Sequence, residues 1–285
     1  MSTNSKNENG HDNTTNYPRH KAYQELTFTD DYMFCRIMQS EPELCRRLIE
    51  LLLCRPIAKV EYIDSQHVLS IDSDIKSVRF DVYLKDEAGT VIDLEMQVSR
   101  KPELPRRSRY YQSINDIDHL GAGMEYEQLP ESYVIFICLF DPFNKNLPRY
   151  EFRELCTDDT TIALDDGTYK VFINADYKQD DIPIEMRALF DYLCGKEPDS
   201  DLTRDIAESI ARAKKNRKWE REYVQFIEKM MEERNIGRAE AWDESARLFA
   251  FAKETGRLDE YGQAFEDEAV RQKLLADMQE YEHRS

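Results

Sequence analysis

Residues 78–99 read VRFDVYLKDEAGTVIDLEMQVS, two alternating runs around a short polar turn. Successive side chains of a strand point to opposite faces. In the first run Val78, Phe80, Val82 and Leu84 therefore share one face, and Arg79, Asp81 and Tyr83 the other. In the second, Val91, Asp93, Glu95 and Gln97 share a face, with Ile92, Leu94, Met96 and Val98 opposite. DEAG between them is a hairpin signal, which predicts antiparallel neighbours. Asp81, Glu95 and Gln97 then stand mid-strand, where Asp is depleted and an interior carboxylate carries a desolvation cost unless something compensates it.

A divalent metal would compensate it. Mg²⁺ takes hard oxygen ligands, commonly one or two carboxylates with several waters. If the register pairs them, the Cβ atoms of Asp81 and Glu95 lie about 5 Å apart, and Gln97 follows roughly 7 Å along the same face. A metal held by Asp81 and Glu95 would polarise a scissile phosphate and lower the pKa of a bound water. Gln97 would orient that water or meet the transition-state oxyanion, although an amide cannot serve as a base. The same alternation also suits a strand whose polar face simply meets solvent. Spacing alone leaves both readings open.

Upstream, residues 1–22 are rich in Asn, Thr, Ser and Lys and are expected to be a disordered tail. Thr29 or Asp30 can cap a helix through DYMFCRIMQS (31–40), and Pro42 suits the first turn of a continuation through ELCRRLIELLLC (43–54). VEYIDSQHVLS (60–70) reads as a strand. Downstream, Pro102 or Pro105 opens a helix that Gly121 or Gly123 stops. SYVIFICLF (132–140) reads as a buried strand, with shorter strand candidates at RYEFREL (149–155), TIAL (161–164) and YKVFIN (169–174). IPIEMRALFDYLCG (182–195) is a short helix, and KEPDS (196–200) is the linker candidate. The order helix, strand, strand, strand, helix, strand predicts an α/β core over residues 23–196. Residues 197–285 are expected to form a helical extension with a narrow apolar stripe of Ile206, Ile210, Ala213, Val224, Ile227 and Met231.

The bulk composition argues partly against nucleic acid. The formal net charge is −18, whereas phosphate binding favours basic surfaces. One segment runs the other way: between Val98 and Gln112, Arg100, Lys101, Arg106, Arg107 and Arg109 stand against a single acid, Glu103. ARAKKNRKWER (211–221) is a second basic run, readable as a DNA contact or as a solvated helical face. No apolar run is long enough to cross a membrane, and the N-terminal residues have no apolar signal region, so cytoplasm is the expected compartment. The six cysteines form no CxxC pair and read as small buried hydrophobes rather than a zinc or disulfide framework. His67, His119 and His283 have no metal-ligand spacing, and there is no phosphate-binding Gly-rich loop.

FTDDYMF (28–34), VRFDVYLKDEAGTVIDLEMQ (78–97), RRSRYYQSINDIDHLGAG (106–123) and SYVIFICLFDPF (132–143) together resemble the PD-(D/E)xK nuclease family described as transposases or recombination-promoting nucleases. RYEFRELC (149–156) and LDDG (164–167) extend the resemblance, which covers about residues 25 to 195. It implies a restriction-endonuclease-like core, a mixed β-sheet flanked by helices, ahead of the helical C-terminal extension. It also implies DNA cleavage dependent on Mg²⁺, with Mn²⁺ as an alternative, linked to recombination or mobile elements. Asp81 takes the first acidic position, Glu95 the second, and Gln97 the place of the motif lysine. That replacement departs from the superfamily pattern, although it is normal within this family, and removes a cation from the transition state. It leaves open a catalytically silent protein that acts as a DNA- or protein-interaction module. Arg106, Arg107, Arg109, Tyr110 and Gln112 are the expected DNA contacts; Tyr110 or Tyr111 could serve a recombinase as nucleophile, but core packing suits them better. No membrane partner is expected. The C-terminal helices are the expected route to a homo-oligomer.

Overall fold

A computed structural model describes residues 21–57, 59–62, 68–69, 78–79, 81–121, 123–265 and 267–284. The chain divides into two compact units, one running to Trp219 and one from Glu220 to Ser285.

The first unit opens with two helices, α1 (Asp31–Ser40) and α2 (Pro42–Leu53). Pro42 begins the second helix, where its missing N–H has no intrahelical partner to lose. Strands β1 (Val60–Tyr62), β2 (Val68–Leu69), β3 (Val78–Arg79), β4 (Val82–Asp86) and β5 (Val91–Gln97) follow. The run expected as one strand from Val78 is thus two: β3 pairs with β2 in a separate two-stranded sheet, Asp81 lies in a bend, and β4 starts at Val82. Phe80 lies outside the described residues. The DEAG turn closes as expected. Asp86 accepts from the Thr90 N–H through its side chain (2.8 Å), and Gly89 takes φ +89°, a conformation few other residues adopt.

After β5 come α3 (Leu104–His119), β6 (Ser132–Cys138), β7 (Arg149–Phe152), β8 (Thr168–Asn174), α4 (Ile184–Leu193) and α5 (Asp201–Lys214). The main sheet has six strands in the order β1-β4-β5-β6-β8-β7. β5, β6 and β8 are mutually parallel, and β1, β4 and β7 are antiparallel to their neighbours. This is a mixed sheet flanked by helices, with further helices at the C-terminus, as expected. All seven residues of β6 are buried, which explains its unbroken apolar character. One face of the sheet packs under α3, joining Tyr83, Val134 and Phe136 to Leu104, Tyr111 and Ile114 in one cluster. On the other side α1 packs on β4 and α2 on β1.

Further expectations change. TIAL forms only a single bridge, Leu155 to Ala163, because the Asp159 carboxylate turns the chain by accepting from the Thr161 N–H (3.0 Å) and hydroxyl (2.7 Å), leaving Ile162 and Leu164 exposed. KEPDS does not end the first unit. It is a loop before α5, which packs on α1, α2 and α4 and buries Leu202, Ile206 and Ile210. Cys54, expected inside an apolar helix, is exposed because it ends α2 in a left-handed conformation (φ 53°).

α6 (Arg217–Glu254) runs on into the second unit, followed by α7 (Leu258–Gln263) and α8 (Glu268–Arg284). Leu248, Phe251, Leu274 and Met278 form the small core of this unit. Val224 and Met231, two of the six residues of the expected apolar stripe, are exposed. No described helix is long and apolar enough to cross a membrane.

Candidate active site

β5 carries the polar residues to the site, and its register sets their neighbours. Val82 pairs with Leu94 and Tyr83 with Asp93 across the hairpin, so Asp81 falls beside Glu95. Each carboxylate accepts from a backbone N–H of the neighbouring segment. The Asp81 N–H donates to Glu95 Oε1 (3.1 Å), and the Met96 N–H donates to Asp81 Oδ2 (3.1 Å). Gln97 is two residues on along the same face. The structure therefore brings together the three residues named from the strand pattern.

The polar face of β5 is not wet. Asp93 is 0% exposed, Glu95 2% and Gln97 7%, because α3 lies across this side of the sheet. That removes the solvated-strand reading and raises the electrostatic stakes. Burial, with Asp81 adjacent, pushes the Glu95 carboxyl well above the usual range, against the pull of the Arg107 cation. Asp93 is pushed up in the same way, by burial first and then by Glu95 and Asp81. Its two carboxylate oxygens have no hydrogen-bond partner among the described residues.

The cation in this cluster comes from α3. Arg107 Nη2 donates to Glu95 Oε2 (2.9 Å) and to the Tyr111 hydroxyl (2.6 Å), while Nη1 donates to Gln97 Oε1 (3.3 Å). Its guanidinium also lies 5.1 Å from the Tyr111 ring centre and 5.6 Å from that of Phe136, within cation–π range. Burial works against the Arg107 charge, but Tyr111, Glu95 and Asp81 outweigh it and hold its pKa above the ordinary value.

The residues read from the sequence as DNA contacts thus separate. Arg106 and Arg109 are exposed on the outer side of α3, and Tyr110 is half-buried against the core. Arg107 turns inward to the carboxylates. Gln112 is only 5% exposed and faces the interior, so the fold removes it from any surface contact. Helical spacing carried this information. Arg107 stands three residues after Leu104 and four before Tyr111, both buried, whereas Arg106 and Arg109 fall on the opposite side. Asp93, too, was visible as a member of the Glu95 face.

Asp81, in the bend just before β4, and Glu95 on β5 offer hard oxygen donors side by side, the kind of set Mg²⁺ or Mn²⁺ takes with water completing the shell. Among the described residues no group of three or more His, Cys, Asp and Glu is disposed to hold a metal, so Asp93 does not complete a three-ligand centre. Three carboxylates around one guanidinium leave an excess of negative charge that a divalent cation would neutralise. On donor chemistry and charge the pair fits such a group.

A mixed sheet flanked by helices, with paired carboxylates where two of its central strands adjoin, defines a restriction-endonuclease-like α/β protein. The family model described as PD-(D/E)XK nuclease family transposase matches residues 28–175, just over half of the chain, and the protein belongs to that family. Comparison with curated proteins and with solved structures finds no match in either. Family membership supports a nuclease-like or transposase-related role.

Proposed function

We propose that this protein is a metal-dependent DNA endonuclease that hydrolyses phosphodiester bonds, acting in recombination or on mobile elements. The observation that carries the reading is the part-buried Asp81 beside the buried Glu95 at the junction of β4 and β5, where Glu95 accepts from the Asp81 N–H and Asp81 from the Met96 N–H. Asp81 and Glu95 would hold Mg²⁺, or Mn²⁺, which when bound supplies a Lewis acid for the phosphate and activates water near neutral pH. The chain's own residues do the rest. The backbone N–H groups of Asp81 and Met96 aim the two carboxylates. Gln97 presents an amide beside them to orient water. Arg106 and Arg109, with Tyr110, receive the DNA backbone on the outer face of α3. The helices beyond Trp219, with exposed Val224 and Met231, are proposed to serve self-association.

A second reading is a catalytically silent DNA- or protein-interaction module. It is favoured by the Arg107–Glu95 ion pair, which already engages one oxygen of the second carboxylate.

Nicking of supercoiled plasmid by the full chain in Mg²⁺, Mn²⁺ or EDTA separates the two. The nuclease reading expects metal-dependent nicking that Asp81→Ala reduces by about 10²-fold or more while the protein stays folded. A wild-type protein that binds DNA but nicks with neither metal selects the silent module.

A further inference from the structure

Gln97 stands where the family motif places a lysine, and the guanidinium of Arg107 donates to its side-chain oxygen. We propose that Arg107 supplies from α3 the cation that β5 lacks, so that Arg107 and Gln97 together replace the motif lysine. This rests on the nuclease reading and assigns Arg107 a place in the site rather than on the DNA-binding surface.

Four observations carry it. Arg107 is the group that pairs with Glu95, a carboxylate 2% exposed. It bridges Glu95 and Gln97, the two ends of the E-x-Q segment, from a single planar fork. Its position is held independently of both by the Tyr111 hydroxyl and the rings of Tyr111 and Phe136. Finally, Gln97 is chemically complementary to it: an amide oxygen accepts from the guanidinium, whereas a lysine at the same place would set two cations against each other. Three N–H bonds go to Glu95, Gln97 and Tyr111. A guanidinium has five N–H groups, so two remain to meet an anionic phosphate oxygen.

The exchange predicts a signature that tracks the number of cations beside the carboxylates. Counting the described residues, Arg107→Met leaves none, wild type and the double variant Gln97→Lys/Arg107→Met have one, and Gln97→Lys alone has two. Mn²⁺ affinity, measured by calorimetry without DNA, is expected to rise in R107M, to fall about tenfold in Q97K, and to return near wild type in the double variant. Single-turnover nicking should fall about 10²–10³-fold in R107M and recover at least about tenfold when Q97K is added. DNA affinity in EDTA should change less than about threefold in R107M, unlike that of Arg106→Ala or Arg109→Ala, which remove phosphate contacts. Arg107→Lys, which keeps the charge, covers the case in which R107M fails to fold. It should retain wild-type Mn²⁺ affinity within about threefold.

R107M that nicks as wild type overturns the proposal, as does a folded double variant that regains neither nicking nor Mn²⁺ affinity. A folded R107M that loses both together would make Arg107 merely structural. If wild type binds Mn²⁺ yet does not nick, the nuclease reading alone fails and the Mn²⁺ series still judges the exchange. If wild type binds no Mn²⁺, both fall.

Discussion

β5 and β6 are parallel neighbours of seven residues each, and every residue of both is buried. β6 meets that burial with Ser132, Tyr133, Val134, Ile135, Phe136, Ile137 and Cys138, an interior strand with a polar residue only at its start. β5 carries Asp93, Glu95 and Gln97, which pair in register with Val134, Phe136 and Cys138. The two strands share a sheet, a direction and a covering helix, so their difference isolates what the polar face is for. A strand can be buried in this fold without a single carboxylate. β5 retains two, one of them with no hydrogen-bond partner for either oxygen among the described residues, at an energetic cost the fold alone does not require.

The largest effect should come from making β6 resemble β5. Val134 is 0% exposed and lies beside Asp93. Val134→Asp adds a further buried carboxylate with no cation assigned to it, and is expected to cost roughly 3–5 kcal/mol or more, enough to leave little folded protein. Circular dichroism and urea denaturation would check this. A stable, cooperative Val134→Asp protein would show that β5 is nothing special.

The reverse exchange should have a smaller effect of opposite sign. Asp93→Asn keeps the shape and removes the unpaired charge, and is expected to stabilise the metal-free protein by about 1–3 kcal/mol near neutral pH. The sign follows from linkage. Burial holds the folded pKa of Asp93 above its ordinary 3.8, so the folded state binds this proton more tightly than the unfolded one. The wild-type penalty is therefore absent below about pH 4 and grows as pH rises from there toward the folded value. Denaturant midpoints of the two proteins in EDTA should converge at low pH and diverge toward neutrality. An advantage independent of pH would refute the charge argument.

The smallest effect concerns reactivity at the end of β6. Cys138, beside Gln97 in register, is fully buried and its thiol is pushed up to about 12 by that burial. It should resist a thiol reagent at pH 8 while exposed Cys54 and Cys194 react, with peptide mapping assigning the sites. Labelling of Cys138 at the rate of Cys54 would mean that the β5–β6 junction opens.

Much of this was legible in the sequence because it rests on local periodicity. Alternation and the DEAG turn specified the β4–β5 hairpin, and with it the neighbourhood of Asp81, Glu95 and Gln97. The apolar run of β6 and the Pro-to-Gly span of α3 were equally readable. Where local chemistry had two outcomes, reading failed. The strand from Val78 breaks at Asp81, and KEPDS reads as a linker although α5 beyond it belongs to the first unit. The basic run of α3 was read for its charge, and charge count does not say which arginine points inward.

The sequence by itself determined the strand pattern, the identity of the polar residues on β5 and the family to which they point, since these depend on residue order and a period of two. Only the tertiary structure decided that the polar face is buried, that the Asp93 carboxylate has no hydrogen-bond partner among the described residues, that Gln112 is withdrawn from the surface, and that Arg107 closes on Glu95 and Gln97. Each of these depends on where α3 lies across the sheet, a packing relation between segments that no periodicity within either one encodes.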